Sequence, residues 1–224
     1  GIIIDIKVWL QGSLFGVGSA NGIMRDDLRI NNLIPNISPY PALGLVETTA
    51  STSVDNYVFA TTGQDAIVDW VFIELRSSSN PTLVIDSKSA LLQADGDIVE
   101  TDGTSLVTFE QAYWGDYYVA VRHRNHLGVM TKDPVYLGGI WTKIDFRQTS
   151  TPTYTIAPQI INVAQVPVLQ GSAMWAGNTL LFTDKNVIFQ GTGNDVNPVY
   201  LQVITAPTNV LKTPFAIFKN YNTS

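Results

Sequence analysis

Between Ile4 and Leu10 the chain alternates: Ile4, Ile6, Val8 and Leu10 are separated by Asp5, Lys7 and Trp9. A period of two places successive side chains on opposite faces, which suits a half-buried strand and not a helix. A second run, Ala66 to Arg76 (AIVDWVFIELR), is apolar on both faces for most of its length and reads as a central strand. Turn signals then recur at short intervals. Asn80-Pro81 precedes Thr82 to Ile85, and Ser89 to Gln93 meets Asp95-Gly96-Asp97. Ile98-Val99 leads to Asp102-Gly103, and Ser105 to Phe109 follows. Asp-Gly between short apolar runs is a hairpin signal. Pro134 to Leu137 and Trp141 to Phe146 supply closing strands. Short strands at such spacing predict an all-β, Ig-like antiparallel β-sandwich over residues 1–147. Gly115-Asp116-Tyr117 at the start of an alternating strand has the form of a tyrosine corner. There a tyrosine plugs the end of the core and its hydroxyl reaches a backbone group upstream.

After Phe146 the composition changes. Residues 148–158 (QTSTPTYTIAP) are rich in Thr and Pro and read as a linker or an extended crossover. Residues 159–224 form a small, mostly irregular unit. Asp195-Val196-Asn197-Pro198 supplies helix-start chemistry for a short helix over Val199 to Ile204.

Charge narrows the classes of partner. Only 14% of residues are charged and the net charge is −6, against about 25% charged in ordinary domains. The balance offers no footprint for nucleic acid. No apolar run reaches the ~18 residues of a membrane-spanning helix. There is no cysteine, which excludes disulfide frameworks, Cys-based zinc sites and thiol nucleophiles. The chain opens at Gly1 directly before Ile2-Ile3-Ile4, without a leader, and is expected to be a segment of a longer polypeptide.

Few motifs carry chemistry. Arg122, His123, Arg124 and His126 cluster at the end of a predicted strand. They make either a ligand or metal site at the sandwich rim, or hydrogen bonds to loop carbonyls and to carboxylates such as those of Arg25 to Arg29. The second reading is favoured, because alternating strand residues cannot all converge on one point. Asp95, Asp97 and Asp102 fit either a calcium loop or, preferably, two hairpin turns. The aromatic residues are chiefly core, with Trp114 or Trp141 as candidates for stacking on sugar rings. No Gly-x-Ser-x-Gly elbow, Walker loop or marked carboxylate pair occurs, so a non-enzymatic protein is expected.

Lys7 to Gly12, Met24 to Arg29, Ala66 to Val71, Ala90 to Val99 and Tyr117 to Thr131 together resemble a module of large secreted, adhesin- or haemagglutinin-like cell-surface proteins of Bacteroidota. The resemblance implies an extracellular, cell-surface location and a dockerin-like calcium repeat near the C-terminal end. Trp175, Gly177, Asp184, Val187, Gly191, Asn194 and Asp195 keep that repeat's pattern, while Asn178 stands where its first Asp would be. Asn178, Asp184 and Asp195 would therefore form a degenerate site with weak or no Ca²⁺. The module would be structural or adhesive and would partner other copies of itself or neighbouring modules. Filaments would form by strand addition at Ile2, Ile4, Ile6 and Val8 and at Phe215 and Ile217. The alternative is an accessory carbohydrate-binding module with glycan partners.

Overall fold

The computed structural model describes residues 1–14, 21–155, 164–177, 192 and 194–196. In chain order they form β1 (Ile2–Lys7), α1 (Gln11–Leu14), a helical turn at Asp27–Ile30, β2 (Ile67–Ser77), β3 (Asn80–Gln93), β4 (Asp97–Val99) and β5 (Val107–Phe109). There follow β6 (Gly115–His123), β7 (His126–Met130), β8 (Val135–Leu137), β9 (Thr142–Asp145), β10 (Gln165–Val168) and β11 (Gly171–Met174). The fold is all-β and sandwich-like, built on one nine-stranded, mostly antiparallel sheet. β1 to β9 make that sheet, and β10 and β11 pair with each other.

The sheet has two apolar faces, which explains the unbroken hydrophobicity of β2. Val71, Ile73 and Leu75 join Ile2, Ile4, Ile6, Val119, Val121 and Leu137 in the larger core. The alternate residues Trp70 and Phe72, with Leu91, meet Ile34, Tyr40, Val54 and Val58 in a second core. The long connection before β2 thus covers the outer face of the sheet. Its Tyr40 is fully buried, and its hydroxyl donates to the Trp70 carbonyl at 2.9 Å.

The hairpin turns fall where Asp-Gly placed them. Gly96 has φ +104°, and a Cβ there would lie 2.7 Å from the Val8 carbonyl oxygen. Only glycine fits both the dihedral and the approach. Asp95 and Asp102 act as turn acceptors. Asp95 Oδ1 receives the Asp97 N–H at 3.1 Å, and Asp102 Oδ1 receives those of Thr104 and Ser105 at 2.9 Å each. The tyrosine corner is present: Tyr117 Oη donates to the Tyr113 carbonyl at 2.8 Å and its ring packs against the larger core.

Three expectations are corrected. Thr82–Ile85 and Ser89–Gln93 belong to one long strand, β3, that pairs with β2 through register shifts near Arg76. Residues 148–155 do not hang free as a linker. Thr151 Oγ1 donates to the Asp145 carbonyl at 2.6 Å, and the Lys132 N–H reaches the Pro152 carbonyl at 3.0 Å. Residues 164–177 do not stand apart from the sandwich. Ala173 and Met174 are buried in the larger core, and Met174 N–H donates to the Trp9 carbonyl at 2.8 Å.

β1 is also not a free end. On one edge it pairs with β5 and then β4, and on the other it runs parallel to β9. Ile2, Ile4, Ile6 and Val8 are all buried. Their alternation marks the strand correctly, but its hydrogen-bonding groups are used inside the fold, which leaves strand addition no edge over Ile4–Lys7.

Candidate functional site

The cationic cluster is held by the β6–β7 hairpin. His123 pairs with His126 across a turn at Arg124 and Asn125, and a register shift between Val121 and His123 breaks the strict alternation. That irregularity lets neighbouring residues turn the same way. Arg124 Nη2 and His123 Nε2 both reach Asp69 Oδ2 on β2, at 2.8 and 3.1 Å. Arg122 goes elsewhere, to Glu74 Oε1 at 3.0 Å, and shares that carboxylate with Arg76. The carboxylates that receive the cluster are thus Asp69 and Glu74, and not Asp26 and Asp27, which pair with Arg29 and Arg25.

The hydrogen bonds assign both histidine tautomers. His126 Nε2 accepts the Gly12 N–H at 3.2 Å, so the proton sits on Nδ1. That Nδ1 lies 2.7 Å from Asn125 Oδ1, an acceptor, and 2.9 Å from His123 Nδ1. His123 Nδ1 therefore accepts, and its Nε2–H donates to Asp69. The chain of donors runs from Gly12 through His126 and His123 to Asp69 with no conflict while both rings are neutral. Burial, and then the neighbouring His123, push the His126 pKa well below the ordinary histidine value. Burial alone would raise Asp69, but the Arg124 guanidinium and the His123 hydrogen bond outweigh it and hold the carboxyl below its usual range. Tyr40 is pushed well up by burial and by the Asp69 charge.

Asp69, His123, Arg124 and His126 are all buried. Closed to solvent, this network cannot meet a ligand and instead ties β2, β6, β7 and α1 together. Sequence reasoning missed Asp69 and Glu74 as its acceptors. The available signal was two carboxylates inside a strand apolar on both faces, since a buried carboxylate requires a partner.

The surface suited to recognition lies at the opposite end of β6. Tyr113, Trp114, Tyr136, Ile140 and Trp141 are exposed by 86, 60, 59, 84 and 52%. Gly115 pairs with Leu137 and Asp116 with Tyr136, which sets Trp114 opposite Gly138. A Cβ on Gly138 would lie 2.9 Å from Tyr136 Cε1 and 3.2 Å from Trp114 Cγ. The missing side chain is what allows the two rings to flank it. Trp114 Nε1 donates to the Gly1 carbonyl at 3.0 Å, which fixes the indole. Trp141 stands just before β9, at the end of the short loop from β8. Exposed aromatic side chains of this kind make the residues a candidate interaction surface.

Of the remaining predicted residues, Asn178, Asp184, Phe215 and Ile217 lie outside the described residues. Asp195 is buried, next to buried Asn194. Among the described residues no group of three or more His, Cys, Asp or Glu is placed to hold a metal ion, and no helix is long and apolar enough to cross a membrane. No family model, curated protein or solved structure matches the chain.

Proposed function

We propose that the chain is a non-enzymatic, extracellular adhesive module of a bacterial surface protein, and that it adheres by binding saccharides at the Trp114–Tyr136–Trp141 face. The exposure of these rings carries the reading. Tyrosine and tryptophan present a flat apolar area with little rotamer entropy to lose, and sugar rings offer flat C–H faces to match. Low surface charge and abundant Thr, Ser and Asn agree with a partner read by stacking and neutral hydrogen bonds. A glycan array on the wild-type chain should find ligands. Trp114→Ala and Trp141→Ala should each weaken binding about two- to tenfold, an order-of-magnitude stacking contribution, with the fold intact because both rings are largely exposed. Binding indifferent to both substitutions would refute the assignment.

One observation favours a second reading, a filament subunit. The first six residues of β3 include Leu83, Val84 and Ile85, all exposed. Three consecutive exposed residues in an alternating strand mean that both faces of the β2–β3 ribbon stand in solvent there. Among the described residues, β4 covers the outer edge of β3 only at Leu91 and Leu92. Strand addition would then use β3. Light scattering should show concentration-dependent association that Val84→Lys abolishes. A monomer at all concentrations would exclude this assembly.

A further inference from the structure

We infer that His126 is the pin of an acid-sensitive clasp: proton uptake on its ring releases α1 and the Trp175–Gly177 segment from β7 while the sheet stays closed. Two sets of contacts hold residues 165–177 to the sandwich. The first is an anchor. Ala173 and Met174 are buried in the larger core, the Ser172 N–H donates to the Arg147 carbonyl at 2.8 Å, and Gln165 Nε2 donates to the Phe146 carbonyl at 2.8 Å. None of these bonds involves His126.

The second set is the clasp. The Leu127 N–H donates to the Trp175 carbonyl at 2.8 Å and the Gly177 N–H to the Asn125 carbonyl at 3.0 Å. The Ala176 N–H donates to Gln11 Oε1 of α1 at 3.0 Å. His126 stands where these segments meet. It pairs with Ala176 and accepts the Gly12 N–H. A Cβ on Gly12 would lie 3.3 Å from His126 Nε2 and 3.7 Å from Ala176 Cβ, so α1, the imidazole and Ala176 are in close contact.

The closed clasp accepts only a neutral ring. Nδ1 donates and Nε2 accepts, so both nitrogens are committed. A proton on Nε2 would set two donors against each other 3.2 Å apart. It would also add charge to a buried site that already holds Arg124. The facing groups offer no compensation. From β6, His123 presents an accepting Nδ1, and a proton there would meet the His126 N–H in the same conflict. From β2, Asp69 is already engaged by His123 and Arg124. Tyr40, from the connection before β2, is held neutral by burial and the Asp69 charge. Gln11 to Leu14 and Trp175 to Gly177 carry no ionisable side chain. The depressed His126 pKa agrees with this geometry. In the open clasp the ring meets water and titrates near ~6.5, so closure weakens as pH falls below that value, by up to about tenfold per pH unit. Opening uncovers the Asn125 carbonyl and the Leu127 N–H on the outer edge of β7, a strand edge then free to pair.

The test is amide hydrogen exchange on the full chain from pH 7.5 to 5.0, read by residue and corrected for the intrinsic pH dependence of exchange. Protection of Gly12, Leu127, Ala176 and Gly177 should fall below pH ~6.5 by up to about tenfold per unit. It should not respond to urea below the unfolding transition, the mark of a local opening. Ser172 and Met174 should stay about tenfold or more better protected and should respond to urea. Gln11→Ala removes one clasp bond and leaves His126 in place. It should lower clasp protection equally at every pH and keep the pH dependence, whereas His126→Gln should abolish that dependence. Clasp protection that is flat over this range in the wild type, or that falls only with the urea-dependent opening of Ser172 and Met174, would overturn the inference. So would an unchanged pH dependence in His126→Gln.

Discussion

Replacing Asp69 with alanine is expected to destabilise the fold by about 3–5 kcal/mol, a large part of the ~5–15 kcal/mol that holds a typical domain together. The carboxylate receives Arg124 and His123 on one oxygen and the Trp70 N–H, at 2.8 Å, on the other. Without it the Arg124 guanidinium keeps its charge in a site that water does not reach. The loss is therefore the cost of a stranded buried charge more than the value of one bond. Urea unfolding should show a lower midpoint at an unchanged slope. Asp27→Ala, which removes an exposed pair with Arg25, is the control and should cost no more than about 1 kcal/mol. Equal shifts in the two variants would show that the buried network carries no special weight. Adding Arg124→Met to Asp69→Ala should recover part of the loss, since the charge leaves with its partner.

Acid should weaken the fold over two successive pH ranges, and His126 should set the first. Its folded pKa lies well below the ordinary value, by burial and by His123, while in the unfolded chain it titrates near ~6.5. Below that pH the unfolded state takes up a proton that the folded state refuses. Its contribution is complete above pH ~6.5 and is lost as pH falls toward the folded value, at up to about 1.4 kcal/mol per pH unit. Asp69 follows with the same sign. Its folded pKa is depressed, so its contribution is present above pH ~3.9 and disappears as pH falls through the folded value. A proton on His126 Nε2 would face the Gly12 N–H that now donates to it. Free energies of unfolding measured from pH 7.5 down to 4.5 should therefore decline. His126→Gln, whose carbonyl can accept the same N–H, should flatten the decline below pH 6.5. An identical pH profile in the variant would place the acid sensitivity elsewhere.

The strands could be read from the sequence because local rules govern them. Alternation marked β1, two-sided hydrophobicity marked β2, and Asp-Gly marked the turns around β4. The Tyr117 corner was legible from a three-residue pattern. What escaped depends on partners distant in the chain. Nothing in Ile4–Leu10 states that both its edges are filled by β4, β5 and β9. Nothing in Gln165–Met174, short and poor in charge, states that it seals the core beside Trp9. The histidine cluster was visible, and alternation argued only that its members could not all converge; Arg122 goes to Glu74 while His123 and Arg124 meet at Asp69. That His123 and Arg124 come together follows from a register shift that no residue type marks. The exposed aromatics were named only in part, with Trp114 and Trp141 as the candidates for stacking on sugar rings. Tyr113, Tyr136 and the gap at Gly138 emerge only when β6 and β8 pair.

The placement of β1 sets an order of assembly. Ile6 meets Ile98, Ile4 meets Val107, and Ile4 meets Thr142 on the far edge. Each of these pairings closes a loop of ninety residues or more, so the entropy of closure must be met before the contacts form. A chain made from one end to the other therefore holds β1 without strand partners until β4 and β5 have been made, and with its second edge open until β9 has emerged. The long β2–β3 hairpin, with its partners close in sequence, can form long before. This points to a slow, late closing step in which β1 is locked between strands made much later. A fragment ending between residues 93 and 142 would keep the hairpin but lose the seam that shuts the core.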